Sequence, residues 1–134
     1  MATLFTKIID GEIPGQVVWS DDVCAAFLDL EPLTPGHALV VPRAEVDHWI
    51  DLDTATVSHL LDVAARLGRA QLEAFGGERV GLIIQGFEVP HAHVHVFAAR
   101  GPGDFDLAAR SRRSPEELAG DAEALRAALG QVAG

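Results

Sequence analysis

Residues 91–97 of the chain are His91-Ala92-His93-Val94-His95-Val96-Phe97, an alternation of histidine with small or apolar side chains. A period of two indicates a β-strand, because successive side chains of a strand point to opposite faces of the sheet. The three imidazoles are therefore expected on one face, and Ala92, Val94 and Val96 on the other. The segment predicts a strand with one chemically active face and one core face.

A row of imidazoles on one face has two chemical uses. Three of them can ligate a zinc ion, with Glu88 or His37 as candidates for a further ligand. Alternatively, a neutral imidazole can attack phosphorus while its neighbours orient it and protonate the leaving group. A purely structural role is disfavoured, because adjacent imidazoles repel each other when protonated and need partners when buried. The spacing alone does not separate the two functional hypotheses.

The segments around the motif predict an α+β fold, with a mostly antiparallel sheet, one long helix packed on it and a C-terminal helix. Apolar residues at a 3.6-residue period indicate the long helix over residues 53–75, which ends at Gly76. Ser114 and Glu117 form a capping box that starts the C-terminal helix, expected to extend to about residue 129. The strands are predicted at residues 17–19, 23–30, 37–41, 80–85 and 91–98, and a short opening helix lies within residues 3–13.

Three matches in the right order resemble the histidine triad (HIT) family. The motif His91-Ala92-His93-Val94-His95-Val96 resembles the family signature of histidines alternating with hydrophobic residues. Residues 5–14 resemble the family's opening helix and turn, and residues 26–43 its two central strands. The resemblance covers residues 3–98. It implies a single HIT-like domain over residues 1–134, with its core at 3–98 and a C-terminal tail and helix at 99–134.

The resemblance implies a hydrolase or nucleotidyl transferase that cleaves a phosphorus bond of a small nucleotide, either a phosphoramidate or a phosphate ester. His93 would attack the α-phosphorus and form a nucleotidyl-histidine intermediate. His95 would hydrogen-bond the phosphate or leaving group, His91 would orient His93, and His37 would be the fourth histidine of the site. No metal or other cofactor is implied, and the alternative is a nucleotide-binding regulatory protein with little turnover.

The resemblance also implies which residues bind the nucleotide. Asp29 would accept hydrogen bonds from the ribose hydroxyls, and a carboxylate suits a vicinal diol. Phe27, Leu30 and Ile8 would form an apolar slot for the base. Gln85 would replace the asparagine that relatives carry at the end of a strand.

Two departures from the family pattern concern the phosphate. Relatives carry a longer glycine-rich loop before the motif, with a polar pair that touches the phosphate, whereas residues 85–90 are short and place Phe87 and Glu88 there. A carboxylate at this position would repel a phosphate unless it points away or binds a cationic leaving group. Many relatives also have a histidine where this chain has Glu45.

Composition limits the classes of partner. The chain has 134 residues, with 10 Lys and Arg against 20 Asp and Glu, so its formal net charge is −10. This balance argues against binding of long nucleic acids, which depends on basic residues. The apolar runs are too short to cross a membrane, and no signal peptide is recognisable. With one cysteine, Cys24, these features predict a cytoplasmic protein.

The remaining expectations concern single residues and assembly. Relatives are typically homodimers that pair their sheets edge to edge, which implies a homodimer here, with Trp49 and the long helix as candidates for burial. His48 and His59 are expected at the surface, and Cys24 in the core. Residues 101–113 are expected to be mobile, and their arginines at residues 110–113 to face solvent, with a phosphate clamp as the alternative.

Overall fold

The computed structural model describes residues 2–132, and it confirms the α+β fold. The helices are α1 (Leu4–Ile9), α2 (Thr54–Phe75) and α3 (Pro115–Val132), and the strands are β1 (Val17–Ser20), β2 (Cys24–Leu28), β3 (Ala38–Pro42), β4 (Arg79–Ile83) and β5 (Val94–Ala99). The strands form one antiparallel sheet in the order β1-β2-β3-β5-β4. None of the described helices combines the length and apolar character that a membrane span requires.

The two faces of the sheet carry different clusters. The face covered by α2 and α3 holds the larger hydrophobic core, to which the central strands contribute Ala26, Val40, Val94 and Val96. The opposite face holds a smaller cluster, which consists of Phe5, Phe27, Leu39 and Val41. The alternation predicted for the histidine motif is therefore confirmed for its apolar half, because Val94 and Val96 pack towards the helices.

Capping explains where the helices begin. Asp53 caps α2 by accepting a hydrogen bond from the Thr56 amide at 2.7 Å, so the predicted start of the long helix is confirmed within one residue. Ser114 and Glu117 bond each other's backbone amides reciprocally, at 3.1 Å in both directions, which is the predicted capping box. The opening helix is shorter than predicted, because the chain turns at Gly11, whose φ is 82°.

Two predictions about irregular segments need correction. The strand β5 begins at Val94, so His91 and His93 precede it, because the amide of Ala92 donates to the Val46 carbonyl instead of to a neighbouring strand. The arginines at residues 110–113 were expected to face solvent, but the side chain of Arg110 is only 17% exposed. Residues 101–113 contain two short 3-10 turns, Pro102–Phe105 and Leu107–Ala109, and the mobility expected of them stays a prediction. The side chain of Arg110, which follows the second turn, is held by three acceptors.

Candidate active site

The register of the central strands builds the floor of the site. Phe27 on β2 lies opposite Leu39 on β3, and Leu39 lies opposite His95 on β5. Directly opposed residues share one face of a sheet, so these three side chains form a row on the face away from α2. The other two histidines of the motif join this face. The ring of His93 lies 5.0 Å from that of His95 and 4.9 Å from that of Phe5, and the ring of His91 lies 5.8 Å from that of Phe5.

His91 is a fully buried link between the motif and the N-terminus. Its Nε2 lies 2.7 Å from the carbonyl oxygen of Pro42, and its Nδ1 lies 2.6 Å from the Thr3 hydroxyl. Because a carbonyl oxygen only accepts, Nε2 carries a proton. The ring of His91 is thus fixed from both sides, and its own carbonyl is presented to His93.

The orientation of His93 determines which of its nitrogens is available. Its Nδ1 donates to the carbonyl oxygen of His91 at 2.8 Å. Burial is the main influence on its titration and lowers the pKa of the imidazole, so the ring is neutral near pH 7. A neutral ring protonated on Nδ1 carries its lone pair on Nε2, for which the described side chains and backbone offer no hydrogen-bond partner. This nitrogen is a competent nucleophile.

A hydrogen-bond chain fixes the tautomer of His95. The Leu33 amide donates to Nδ1 of His37 at 2.9 Å, so the proton of a neutral His37 is on Nε2. That Nε2 lies 3.0 Å from Nδ1 of His95 and donates to it. A neutral His95 therefore carries its proton on Nε2. The described residues offer that N–H no acceptor, so it is free for a ligand.

Burial keeps both members of this pair neutral. It lowers the pKa of His37 to about 3, with a smaller contribution from the charge of Arg110. It also lowers the pKa of His95 to about 3, assisted by the charges of His37 and His93 and opposed by that of Asp29. The proton positions assigned above therefore hold at neutral pH.

Gly36 sets the backbone that positions His37. Its φ of +83° lies in the left-handed region, and a Cβ at this residue would lie 2.3 Å from the Phe75 ring. The buried amide of Gln71 on α2 donates to the Gly36 carbonyl at 2.8 Å. The long helix thus holds the turn that presents the fourth histidine.

A cavity of about 260 Å³ opens beside the histidines. Its size is near the lower end of the range of small-molecule sites, about 300–1,000 Å³. Four predicted nucleotide-binding residues line it together with His93 and His95: Ile8, Phe27, Asp29 and Leu30. The apolar side chains and the carboxylate thus border one space, as an amphipathic ligand such as a nucleoside requires.

The structure places Gln85 elsewhere. It is exposed beyond the end of β4 and borders a second cavity with Trp49, Phe87 and His48, into which His93 also projects. Gln85 does not line the cavity that contains Asp29.

Arg110 is the site residue that sequence analysis undervalued. Its side chain lines the cavity and is 17% exposed, with one terminal nitrogen 2.7 Å from Glu88 and the other 3.5 Å from Asp29. The arginine-rich composition of residues 110–113 was the feature of the sequence that could have indicated this residue, but it was interpreted as a solvent-exposed face. Glu88, expected to repel a phosphate, is paired with this guanidinium.

Within the described part of the chain, two clusters have the composition of metal ligands. Asp29, His37 and His95 offer ligand atoms that lie within 4.8 Å of one another, and so do Asp21, Cys24 and His59. In the second cluster the Cys24 thiol is buried, and burial together with the charge of Asp21 raises its pKa to about 12. That thiol is protonated at neutral pH, as suits the core position predicted for it.

The remaining residues have local roles. His59 lies on α2 and is 2.7 Å from Asp21, with a third of its side chain exposed. His48 is exposed, as predicted. Glu45, the departure noted in the sequence, accepts a hydrogen bond from the Thr3 amide at 2.8 Å and so helps to place the residue that bonds His91.

Comparisons with known proteins agree with this geometry. The family model of the HIT domain matches residues 10–101. A purine nucleoside phosphoramidase from Escherichia coli K12 is 32% identical over 107 residues, which cover 75% of this chain and 90% of that protein. An uncharacterized HIT-like protein from Synechocystis is 36% identical over 110 residues, covering 73% and 90%. The crystal structure of a zinc-bound histidine triad family protein from Mycobacterium smegmatis aligns with a TM-score of 0.84 and 28% identity, over 99% of this chain and 96% of that one.

Proposed function

This chain belongs to the HIT family, and from that premise we propose that it is a hydrolase or nucleotidyl transferase that cleaves a phosphorus bond of a small nucleotide. The observation that carries the proposal is a pair of ring nitrogens at one cavity. His93 has an unprotonated Nε2, and His95 has a protonated Nε2. One is suited to attack phosphorus, and the other to hydrogen-bond a phosphoryl oxygen or the leaving group.

In the proposed reaction, Nε2 of His93 attacks the α-phosphorus and forms a phosphorus–nitrogen bond. The bond from phosphorus to the leaving group breaks, and the leaving group departs with the electron pair and takes a proton from solvent. The positive charge that develops on the His93 ring is stabilised through Nδ1, which donates to the His91 carbonyl. His95 donates a hydrogen bond to the phosphoryl group.

The second half of the reaction regenerates the enzyme. The oxygen of water attacks the nucleotidyl-histidine intermediate, the phosphorus–nitrogen bond returns its electron pair to His93, and a proton of that water passes to solvent. The net reaction consumes one water and yields a nucleoside monophosphate and the protonated leaving group. If a second acceptor replaces water, the same intermediate accounts for nucleotidyl transfer.

For the nucleoside, we propose the residues that border the cavity. The Asp29 carboxylate would accept hydrogen bonds from the ribose hydroxyls, while Phe27, Ile8 and Leu30 would contact the base. The relative from Escherichia coli is named a purine nucleoside phosphoramidase. We therefore propose purine nucleoside 5′-phosphoramidates as the first substrates to test.

The decisive test is single-turnover kinetics with adenosine 5′-phosphoramidate. The expected result is AMP release that depends on His93, together with a covalent adduct on that residue whose mass exceeds that of the free enzyme by one adenylyl group. Binding of AMP without AMP release from the phosphoramidate would favour the second candidate, a regulatory nucleotide-binding protein. Absence of both binding and release would reject the nucleotide site altogether.

A metalloenzyme is a further candidate, because Asp29, His37 and His95 cluster and one related structure is zinc-bound. Those residue types are ones that zinc accepts. However, Arg110 lies 3.5 Å from Asp29 and would oppose a dication there, and the hydrogen bond between the two histidines already satisfies their facing nitrogens. Elemental analysis of untagged protein tests this candidate: an equimolar metal content that is lost together with activity on chelation would support it.

A further inference from the structure

The cavity beside His93 holds more negative than positive charge. Asp29, Glu31 and Glu88 line it, and among the lining residues Arg110 has the one permanent positive charge. The histidines add no cation at neutral pH, because burial lowers the pKa values of His93 and His95. An anionic phosphate entering this space needs a counter-charge, and the protein as a whole, with a net charge of −10, does not provide one.

Arg110 is oriented for this task by fixed acceptors. Its Nε donates to the Leu107 carbonyl at 3.0 Å, and its terminal nitrogens reach Glu88 and Asp29. Burial opposes its charge, but the hydrogen bond to Glu88 and the charge of Asp29 outweigh that effect and raise the guanidinium pKa. Three of the five N–H donors of a guanidinium are thus engaged by described residues, which leaves two for a ligand.

We propose that Arg110 is the phosphate-binding residue of this site, and that it exchanges its carboxylate partners for the substrate phosphate when a nucleotide binds. The proposal rests on the proposed function. Asp29 cannot accept ribose hydroxyls with full strength while it faces Arg110, so binding of the ribose releases the guanidinium. The phosphate then replaces Asp29 as the partner of the Arg110 guanidinium, because a planar guanidinium can bind two phosphate oxygens at once.

This residue lies outside the segment that the family model matches, which ends at residue 101. It follows the Leu107–Ala109 turn, and its side chain lines the cavity with Nε bonded to the Leu107 carbonyl at 3.0 Å. The C-terminal segment between β5 and α3 thus takes part in phosphate recognition. Glu88 becomes the residue that competes with the phosphate for Arg110.

Calorimetric titration with adenosine and with AMP separates the phosphate from the nucleoside. Arg110→Gln should weaken AMP binding by about 10- to 100-fold, the value of a charge-assisted contact, whereas adenosine binding should not weaken, because the Asp29 carboxylate is then free for the ribose. Arg112→Gln removes the same charge from an exposed position two residues away and should change neither affinity. Glu88→Gln should strengthen AMP binding, and this gain should be smaller when Arg110→Gln is also present, because the competition for the guanidinium is then absent.

Three results would overturn the proposal. The first is equal weakening of adenosine and AMP binding by Arg110→Gln, and the second is an unchanged AMP affinity in that variant. The third is an effect of Glu88→Gln that is as large without Arg110 as with it. If the wild-type protein binds neither ligand, the proposed function itself fails. If the wild type binds AMP and Arg110→Gln does not discriminate, only the role of Arg110 fails.

Discussion

Nε2 of His37 lies 3.0 Å from Nδ1 of His95, and the Leu33 amide occupies the other nitrogen of His37. A main-chain N–H therefore determines, through two rings, which nitrogen of His95 carries the proton that faces the cavity. His37 is fully buried and does not line that cavity. It is best described as a positioning residue that acts through His95.

The first prediction follows from this chain of hydrogen bonds. His37→Leu removes the donor to His95, so kcat should fall by about tenfold or more, in line with the loss of one hydrogen bond at a reacting group, while KM changes little. In the wild-type protein, ¹⁵N chemical shifts should show His95 protonated on Nε2 and not on Nδ1. The opposite tautomer of His95 would contradict the mechanism even if the variant proved unstable.

The second prediction concerns the nucleophile. His93→Ala should abolish turnover and adduct formation and retain nucleotide binding, because no other described residue offers an unprotonated ring nitrogen to the cavity. His91→Ala and His95→Ala should lose about 10²–10⁴-fold in rate, as expected for groups that orient or assist. His59→Ala, on the far side of the sheet and paired with Asp21, is the control. Turnover by His93→Ala within about tenfold of wild type would exclude the assignment.

The third prediction tests the contact between Asp29 and the ribose. The wild-type protein should bind ribonucleotides about 10- to 100-fold more tightly than 2′-deoxyribonucleotides, and Asp29→Ala should remove this preference. Asp62→Ala provides a matched control, because Asp62 is an exposed carboxylate that is also paired with an arginine. Equal affinity of the wild type for both sugars, measured by calorimetry, would show that Asp29 has another partner.

The fourth prediction is a loss of stability in mild acid. Burial lowers the pKa values of His37 and His95 from 6.5 to about 3, so between those values the unfolded chain binds more protons than the folded one. The free energy of unfolding should therefore fall as the pH decreases below 6.5, by up to about 1.4 kcal/mol per pH unit for each histidine. Urea titrations between pH 7 and 5 measure the slope. It should be smaller in His37→Asn, and the same as wild type in His48→Asn, because His48 is exposed.

Local periodicity predicted the part of the site that lies on the sheet. The alternation in residues 91–97 was sufficient to predict that Val94 and Val96 face the core and His95 the opposite side, since side-chain direction in a strand depends on position, whereas Phe27 was assigned to the site by the family resemblance. The same rule could not show that β5 begins at Val94, because that start depends on a hydrogen bond from Ala92 to Val46, which is distant in sequence.

Local periodicity could not predict that Arg110 lies in the site either. It meets Asp29 across 81 positions of sequence, and no local pattern encodes a contact made by the turn of a polar segment over a cavity. Gln85 was assigned to the site because its position in the sequence matches that of a family residue. That match did not predict that β4 ends at Ile83 and leaves the Gln85 side chain outside the nucleotide cavity. Contacts of loops depend on tertiary packing, which periodicity does not describe.

The last prediction concerns assembly through the edge of the sheet. The strand β4 is an edge strand, and Leu82 and Ile84, on and just after it, are 45% and 37% exposed. An exposed apolar edge favours pairing with a second copy, because its backbone groups and side chains are both left without partners within the described chain. We expect a homodimer by sedimentation equilibrium, and Leu82→Lys should shift it to a monomer by placing a charge at the edge. Leu30→Lys changes a side chain of similar exposure, 48%, at the nucleotide cavity and should leave the dimer intact. A monomeric wild type, or equal dissociation of both variants, would remove β4 as the interface.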